Sequence, residues 1–321
     1  MSGKQHHNHP ELIMGSGTIG SAHGEFGTAK SVAQLVDTLW DVGIRRLDVS
    51  SRHPPGSDFL AEKLYGAAGV AGRGFAVDVK SHIAGLDPRG SMSRAGVRAS
   101  VEGSLGRLGL PKANVFWCYA PDEATPIEEQ AAAVDEQYRK GAFEKFGVSN
   151  FPPELVETWI AVCEEKGYVR PTAYQGIYNL IAREAEAALM PLLRRHGMSF
   201  NAYSPLAAGF LTGRATEGRA EGTRFEAGDA LGAYVRNKYD KPRYHGAVQT
   251  LLAVLRPLGI LPTEAALRWI CYHSALGEGD GIILGASRLE QVRQNAEDVE
   301  KGPLPEAVVR EIEGVWMALS Q

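Results

Sequence analysis

The sequence predicts a single (β/α)8 TIM barrel with extra helices near its C-terminus. Eight short runs rich in β-branched and aromatic residues occur along the chain, and each is followed by at least one stretch with helical periodicity. Alternation of this kind favours a parallel sheet. Eight such units within about 300 residues, with no linker between them, have the size of one barrel. We therefore interpret residues 1–321 as one domain that begins with a flexible tail, residues 1–11.

The elements are predicted in chain order from their periodicity and their end signals. Strands are predicted at 11–20, 44–50, 75–82, 113–121, 143–150, 171–179, 198–206 and 281–287. Helices are predicted at 31–43, 57–69, 93–110, 127–141, 152–167, 185–197, 244–259, 263–277, 288–299 and 306–319. Apolar residues at helical spacing from Val32 to Trp40 predict one buried face for the first helix. Ser57 is expected to cap the second helix, and Gly109 and Gly141 are expected to end the third and fourth.

A doubly wound sheet is the rival fold, and its best support is a glycine pattern after the first strand. Gly15, Gly17 and Gly20 form a G-x-G-x-x-G motif. In a dinucleotide-binding unit this motif opens directly into a helix, whereas here the segment Ser21–Gly27 follows, which does not read as a helix start. The glycines are better explained by a tight turn at the mouth of a barrel.

Composition limits the class of protein. A net charge of −4 without a block of Lys and Arg argues against nucleic acid and anionic membrane as partners. No stretch approaches the roughly 18 consecutive apolar residues of a membrane span, and the N-terminus has no apolar signal-peptide core. Three widely spaced cysteines fit reduced thiols, so we expect a cytoplasmic protein. His6, His7 and His9 are interpreted as part of the tail, and we expect no metal ion in the site.

Polar side chains recur where the predicted strands end. Catalytic residues of TIM barrels lie in the loops at the C-terminal ends of the strands. The residues at these places on strands two to eight are Asp48, Lys80, Tyr119, Asn150, Gln175, Tyr203 and Ser287. Any one of them is more often a solvated loop residue, but the repetition on successive strands favours a site.

The motifs of the chain resemble those of the aldo-keto reductases, and within them the aflatoxin-aldehyde and succinic-semialdehyde reductase branch. The resemblance runs from Leu12 to Trp316 and is strongest in GVSNFPPELVETW from Gly147, in the segment from Pro171 to Arg214, in RNKY from Arg236 and in IILGASRLEQVRQN from Ile282. It implies a TIM barrel that binds NADPH in an extended pose and reduces a small-molecule carbonyl compound.

The resemblance also implies a cofactor site. Ser149 and Asn150 match the pair that holds the nicotinamide carboxamide, with Gln175 beside them, and Tyr203 matches the ring that stacks on the nicotinamide. The segment that folds over the pyrophosphate is matched by Ser204, Leu206, Gly209, Leu211 and Arg214, and a phosphate-side arginine by Arg224. The adenosine and 2′-phosphate end is matched by Gly285, Ser287, Arg288, Gln291, Gln294 and Asn295.

The catalytic positions depart from the family pattern. The family's tetrad is Asp, Tyr, Lys and His, and here Asp48 and Lys80 are retained. At the tyrosine position stands His53, and at the histidine position stands Tyr119, so the two residue types are exchanged. Histidine has a reference pKa of about 6.5, and a nearby Lys80 cation would lower that pKa further. We therefore expect His53 to act as a base and Tyr119 as the acid or oxyanion donor.

Three functions follow from this departure. The first is an NADPH-dependent reductase with exchanged roles, and the second is a non-redox acid/base enzyme that dehydrates, isomerises or cyclises a carbonyl compound. The third is a catalytically inactive NADP-binding protein. For the substrate, Trp117 is expected to shape the pocket or to lie in the core, and Lys238 stands where relatives have an arginine that meets a carboxylate. A second, C-terminal arginine of those relatives is missing, which favours a bulkier and less anionic carbonyl compound, such as a secondary metabolite.

Overall fold

The computed structural model describes residues 9–22, 24–226 and 232–321. Within them, eight parallel strands close into a barrel in chain order, so the predicted (β/α)8 fold is confirmed. The strands are β1 (Glu11–Gly15), β2 (Arg46–Asp48), β3 (Ala76–Lys80), β4 (Ala113–Cys118), β5 (Phe143–Ser149), β6 (Ala173–Ile177), β7 (Ser199–Tyr203) and β8 (Gly281–Leu284). The barrel closes where β1 pairs with β8, with Glu11 opposite Gly281. The expected tail is therefore too long, because Glu11 already belongs to the sheet; His6 and His7 lie outside the described residues.

Helices surround the barrel. Those in the described residues are α1 (Ala29–Asp41), α2 (Leu60–Ala67), α3 (Arg94–Leu108), α4 (Ile127–Arg139), α5 (Pro153–Lys166), α6 (Leu189–Arg195), α7 (Gly232–Tyr239), α8 (Pro242–Leu255), α9 (Pro262–Tyr272), α10 (Leu289–Glu300) and α11 (Glu306–Leu319). Strands β7 and β8 are separated by three of them, which accounts for the predicted extra helices. Helix α7 was not predicted, because its sequence has no apolar stripe of helical period.

Helix α1 begins at a reciprocal cap. The Thr28 hydroxyl accepts from the Ser31 N–H, and the Ser31 hydroxyl accepts from the Thr28 N–H. From this start, Val32 and Leu39 turn into the core as predicted. The prediction for Trp40 was wrong, since its side chain is 45% exposed and lies against the Arg45 guanidinium. A cation–π contact at the surface explains this position.

Helix α2 begins later than predicted, and Ser57 is not its cap. The residue before the helix is Phe59, in the left-handed region at φ 67°, and no side chain caps the helix. The loop turns back on itself here, because the Phe59 N–H donates to the Ser51 carbonyl and the Ala61 N–H to the His53 carbonyl. Ser57 takes part in that turn, its own N–H bonded to Pro54. These bonds hold the loop after β2 close to the barrel mouth.

A packed layer fills the barrel below the strand ends. Arg46 lies between the carboxylates of Glu11 and Asp78, at 2.9 and 2.8 Å. The Trp117 indole N–H donates to Asp78 at 3.3 Å, and the indole itself is fully buried. Gly147 makes room for this ring, since a Cβ at that position would lie 2.3 Å from it. The barrel is therefore a filled core, and polar groups above this layer face the C-terminal mouth.

No single helix in the described residues is long and apolar enough to cross a membrane. One bent pair, Pro242–Leu258 and Pro262–Tyr272, reaches that length and composition only when its two members, 98° apart, are taken together.

Candidate active site

A buried ion pair lies at the centre of the barrel mouth. Lys80, the last residue of β3, donates from Nζ to Oδ1 of Asp48, the last residue of β2, at 2.5 Å. Gln175 on β6 closes a triangle: its Oε1 accepts from Lys80 at 2.7 Å and its Nε2 donates to Asp48 at 3.0 Å. All three side chains are almost fully buried. The structure thus brings together two predicted catalytic residues and joins to them a residue predicted for the cofactor.

His53 lies on the loop after β2, beside this ion pair. Its Nδ1 is 2.7 Å from the hydroxyl of Ser16, which comes directly after β1. Burial lowers the His53 pKa to about 3, and the charge of Lys80 acts in the same direction, while Asp48 opposes it. The ring is therefore neutral at pH 7, as the sequence predicted. An imidazole with so low a pKa is also a weak base, which argues against the expected base role.

Tyr119 follows directly after β4, so the structure places it on the same rim. The Ser81 hydroxyl accepts the Tyr119 N–H at 3.1 Å, and the Tyr119 carbonyl accepts from the Asn150 amide at 3.0 Å. These bonds fix the backbone at both sides of the residue. The half-buried phenol makes no hydrogen bond to any described residue. Its hydroxyl is thus available to a bound molecule.

The residues predicted for the nicotinamide end are neighbours at the ends of β5 and β7. The Tyr203 hydroxyl donates to the side-chain Oδ1 of Asn150 at 2.8 Å, and Nδ2 of Asn150 donates to the Ser149 hydroxyl at 3.1 Å. Asn150 takes the left-handed region at φ 64°, which Asn tolerates better than most residues. Burial raises the pKa of Tyr203, so its phenol stays protonated. This corner is adjacent to Tyr119 through the Asn150 amide.

The segment after β7 has an unusual backbone. Ser204, Ala207, Ala208 and Gly209 all have positive φ, at 57°, 49°, 57° and 100°. Non-glycine residues in this region are strained, and such strain is concentrated at functional sites. Turns of this kind expose backbone N–H groups to an anion. Within this turn the Ala207 N–H donates to the Ser204 carbonyl and the Gly209 N–H to the Leu206 carbonyl, so a pyrophosphate is left to the other N–H groups of the segment.

The side chains predicted along this segment differ in their surroundings. Leu211 is 2% exposed and belongs to the core, so only its backbone is available to a ligand. Leu206 is partly buried against the same core. Arg214 donates to the Glu221 carbonyl at 2.9 Å. Arg224 lies near the turn after β1, since its guanidinium is 3.9 Å from where a Cβ on Gly17 would be. Arg214 and Arg224 are thus the cations in this region of the mouth.

The residues predicted for the adenosine end surround the start of α10. The Ser287 N–H and hydroxyl both donate to Oε1 of Gln291, at 2.8 and 3.2 Å, and Arg288 is exposed at the N-cap. Gln294 donates to Asp298 on its own helix, and Asn295 is 8% exposed. Gly285 is exposed just after β8. Among these groups, the exposed Arg288 guanidinium is the one that offers positive charge to a phosphate.

The loop between β1 and α1 also reaches this end, which the sequence did not predict. The Thr18 hydroxyl donates to the Ala286 carbonyl at 2.5 Å. Glu25 is bound twice: its N–H donates to the Ser287 carbonyl at 2.9 Å, and its carboxylate accepts the Leu289 N–H at 3.1 Å. A carboxylate therefore stands at the N-terminus of α10. No local sequence signal distinguishes Glu25 from an ordinary surface residue of a loop.

The two residues predicted for the substrate differ in position. Trp117 lies in the packed layer, and its ring centroid is 5.7 Å from Lys80 Nζ, so it forms the floor below the ion pair. Of the two places considered for it, the structure shows the core. Lys238 on α7 is half-buried against the Tyr239 ring, and burial lowers its pKa, opposed by the charge of Glu184. Residues 227–231 of the neighbouring loop lie outside the described part of the chain.

Comparisons with known proteins agree with this architecture. A sequence profile described as the Aldo/keto reductase family matches residues 11–317. The chain is 33% identical to the oxidoreductase sirO of Leptosphaeria maculans, over 98% of this chain and 96% of the relative. It is 34% identical to aflatoxin B1 aldehyde reductase member 2 of Homo sapiens, over 90% and 82%, and 32% identical to the aldo-keto reductase pigE of Monascus ruber, over 93% and 92%. The chain belongs to the aldo/keto reductase family and is an oxidoreductase of that family.

Proposed function

We propose that the protein is an NADPH-dependent reductase of an aldehyde or ketone. In this reductase Tyr119 donates the proton, and His53 is the hydrogen-bonding partner. The observation that carries the proposal is the buried Lys80–Asp48 pair at the mouth of the barrel. Burying two charges is costly and a buried pair is weak evidence for stability, which makes this pair a candidate for a functional site. Members of this family act on small-molecule carbonyl compounds, which is the chemistry that such a site supports.

The cofactor fits the residues present. Ser149, Asn150 and Tyr203 would hold the nicotinamide end, the strained turn after β7 would hold the pyrophosphate, and Arg288 with the start of α10 would hold the adenosine phosphate. The left-handed turn and the exposed guanidinium at a helix N-terminus supply the donors and positive charge that two phosphate groups need. When bound, the cofactor supplies a hydride to the carbonyl carbon.

The chain's own residues then stabilise and protonate the carbonyl oxygen as it gains negative charge. A reduced carbonyl becomes an alkoxide, which needs a proton and a hydrogen-bond donor. Tyr119 has a hydroxyl without a partner among the described residues, and its backbone is fixed on both sides. His53 is neutral and cannot supply the proton as an imidazolium at pH 7. Tyr119 is therefore the better proton donor, and the Lys80 cation lies at the same mouth of the barrel.

For the substrate we propose a carbonyl compound that is larger and less anionic than a dicarboxylic semialdehyde. Lys238 stands where relatives have an arginine that meets a carboxylate, and burial disfavours its charged form. The aflatoxin B1 aldehyde reductases, to which the chain is similar, are named for a bulky aldehyde, which supports this proposal.

The test is NADPH oxidation with a panel of bulky aromatic aldehydes, ketones and small semialdehydes, alongside NADPH binding by fluorescence titration. We expect turnover with part of the panel, its loss in Tyr119→Phe, and unchanged NADPH binding in that variant. Tyr138→Phe is the matched control, because this tyrosine lies on the outer helix α4 and is 40% exposed. Substrate conversion without NADPH consumption would establish the non-redox acid/base function instead. NADPH binding without any conversion would favour the inactive binding protein.

A further inference from the structure

The hydrogen bonds of Ser16 determine where its single proton lies. Ser16 is fully buried, and its hydroxyl oxygen accepts the N–H of Ser50 at 3.1 Å. That oxygen is also 2.7 Å from Nδ1 of His53. Among the described residues, no other acceptor lies within hydrogen-bond distance of the hydroxyl. A buried hydroxyl proton without a partner is costly, so Ser16 donates to Nδ1.

The proton of the imidazole follows from this donation. A neutral imidazole carries one N–H, and the nitrogen that accepts a hydrogen bond is the one without it. Since Nδ1 of His53 accepts from Ser16, the proton is on Nε2. Within the described part of the chain, Nε2 makes no hydrogen bond, so it is the ring atom left for a bound molecule.

We infer that Ser16 is a positioning residue that holds His53 as the Nε2–H tautomer, so that His53 offers a hydrogen-bond donor to the substrate carbonyl oxygen. The role toward the carbonyl rests on the proposed function, whereas the tautomer rests on the contacts alone. This donor accounts for a histidine at the position where the family has a tyrosine, because both groups can donate to the same oxygen. This tautomer also excludes the base role expected for His53, because Nε2 carries the proton and has no free lone pair.

The surroundings keep this arrangement rigid and neutral. The Ser16 N–H donates to the Asp48 carbonyl at 3.0 Å, which ties the turn after β1 to the end of β2. The charged groups that act on His53 are Lys80, Arg52 and Arg224, which disfavour an imidazolium, and Asp48, which favours it. Burial and the three cations prevail, so the ring has one proton over the ordinary pH range.

The experiment is a long-range ¹H–¹⁵N correlation spectrum of the full chain labelled at histidine. His53→Gln identifies the His53 signals by their disappearance. We expect the wild-type protein to show one unprotonated nitrogen, Nδ1, and one protonated nitrogen, Nε2, without averaging between them. Ser16→Ala should move both signals toward the averaged position, and Ser16→Thr should restore them. Ser104→Ala is the matched control, because Ser104 is equally buried but donates to Glu62.

A wild-type spectrum with the proton on Nδ1 overturns the inference, and so does an unchanged spectrum in a folded Ser16→Ala variant. If that variant does not fold, the wild-type spectrum and Ser16→Thr still decide the tautomer. Where turnover is measurable, kcat should fall about tenfold in Ser16→Ala with KM for NADPH unchanged, the loss of one ordinary hydrogen bond. The spectrum needs no substrate. The expected tautomer without NADPH consumption therefore refutes the proposed function alone, and NADPH consumption with the other tautomer refutes this inference alone.

Discussion

The pKa of His53 predicts a specific loss of stability in acid. The folded protein holds the pKa at about 3, whereas the unfolded chain has the ordinary value of 6.5. Below pH 6.5 the unfolded chain binds a proton that the folded protein does not bind, so stability falls as the pH falls. Between pH 7.5 and pH 5 the free energy of unfolding should drop by about 2 kcal/mol because of this one group, and by about 5 kcal/mol once the pH is below 3.

The assay is urea unfolding at several pH values, followed by tryptophan fluorescence, for the wild type and His53→Gln. Glutamine keeps an acceptor for the Ser16 hydroxyl but does not titrate, so other groups that titrate cancel in the difference. The wild type should lose about 2 kcal/mol more than the variant from pH 7.5 to pH 5. Parallel curves for the two proteins would show that burial and the charge of Lys80 do not lower the His53 pKa in the folded protein, which would refute the reasoning.

Three further changes test other parts of the structure. Lys80→Met should lower the free energy of unfolding by about 3 kcal/mol, because it leaves the Asp48 carboxylate buried without its cation. In urea unfolding, the double variant with Asp48→Asn should recover most of the lost stability. Glu25→Gln should tighten binding of 2′,5′-ADP about fivefold in calorimetry without affecting 5′-AMP, because the Glu25 carboxylate at the start of α10 would repel a 2′-phosphate bound there as proposed. An equal change for both ligands would contradict this. Gly147→Ala should lower the free energy of unfolding by about 3 kcal/mol, because its Cβ would overlap the buried indole of Trp117. Gly106→Ala, where no atom lies within 4 Å of the new Cβ, should stabilise helix α3 by about 0.5 kcal/mol in thermal unfolding.

Much of the fold was predictable because a barrel repeats one local pattern. Each strand run and its following helix carry their own periodicity, so the topology follows from counting them. The errors occurred where tertiary contacts override local signals. Ser57 resembles an N-cap, but the loop bonds to Ser51 and delays the helix to Leu60. Trp40 continues an apolar stripe of helix α1, yet its ring lies at the surface in a cation–π contact with Arg45.

The sequence predicted which residues lie at the strand ends, but it did not predict the contacts that join their side chains and the neighbouring loops. Strand ends meet at one face of a barrel, so Asp48 and Lys80 were expected near each other, and they form an ion pair. The attachment of Gln175 to that pair depends on side-chain directions inside the barrel, which spacing does not give. Ser16 and Glu25 belong to a loop that folds across the mouth, and only the folded chain shows that it touches His53 and the start of α10.

The proposed exchange of tyrosine and histidine is consistent with the place of Lys80. Its ammonium group donates to Asp48 and Gln175, and its third proton has no partner among the described residues. The Lys80 cation disfavours an imidazolium, so at pH 7 His53 has no imidazolium proton to give to a substrate. In the proposed reductase the acid role therefore falls to another group on the rim, and Tyr119 has a hydroxyl there without a partner among the described residues.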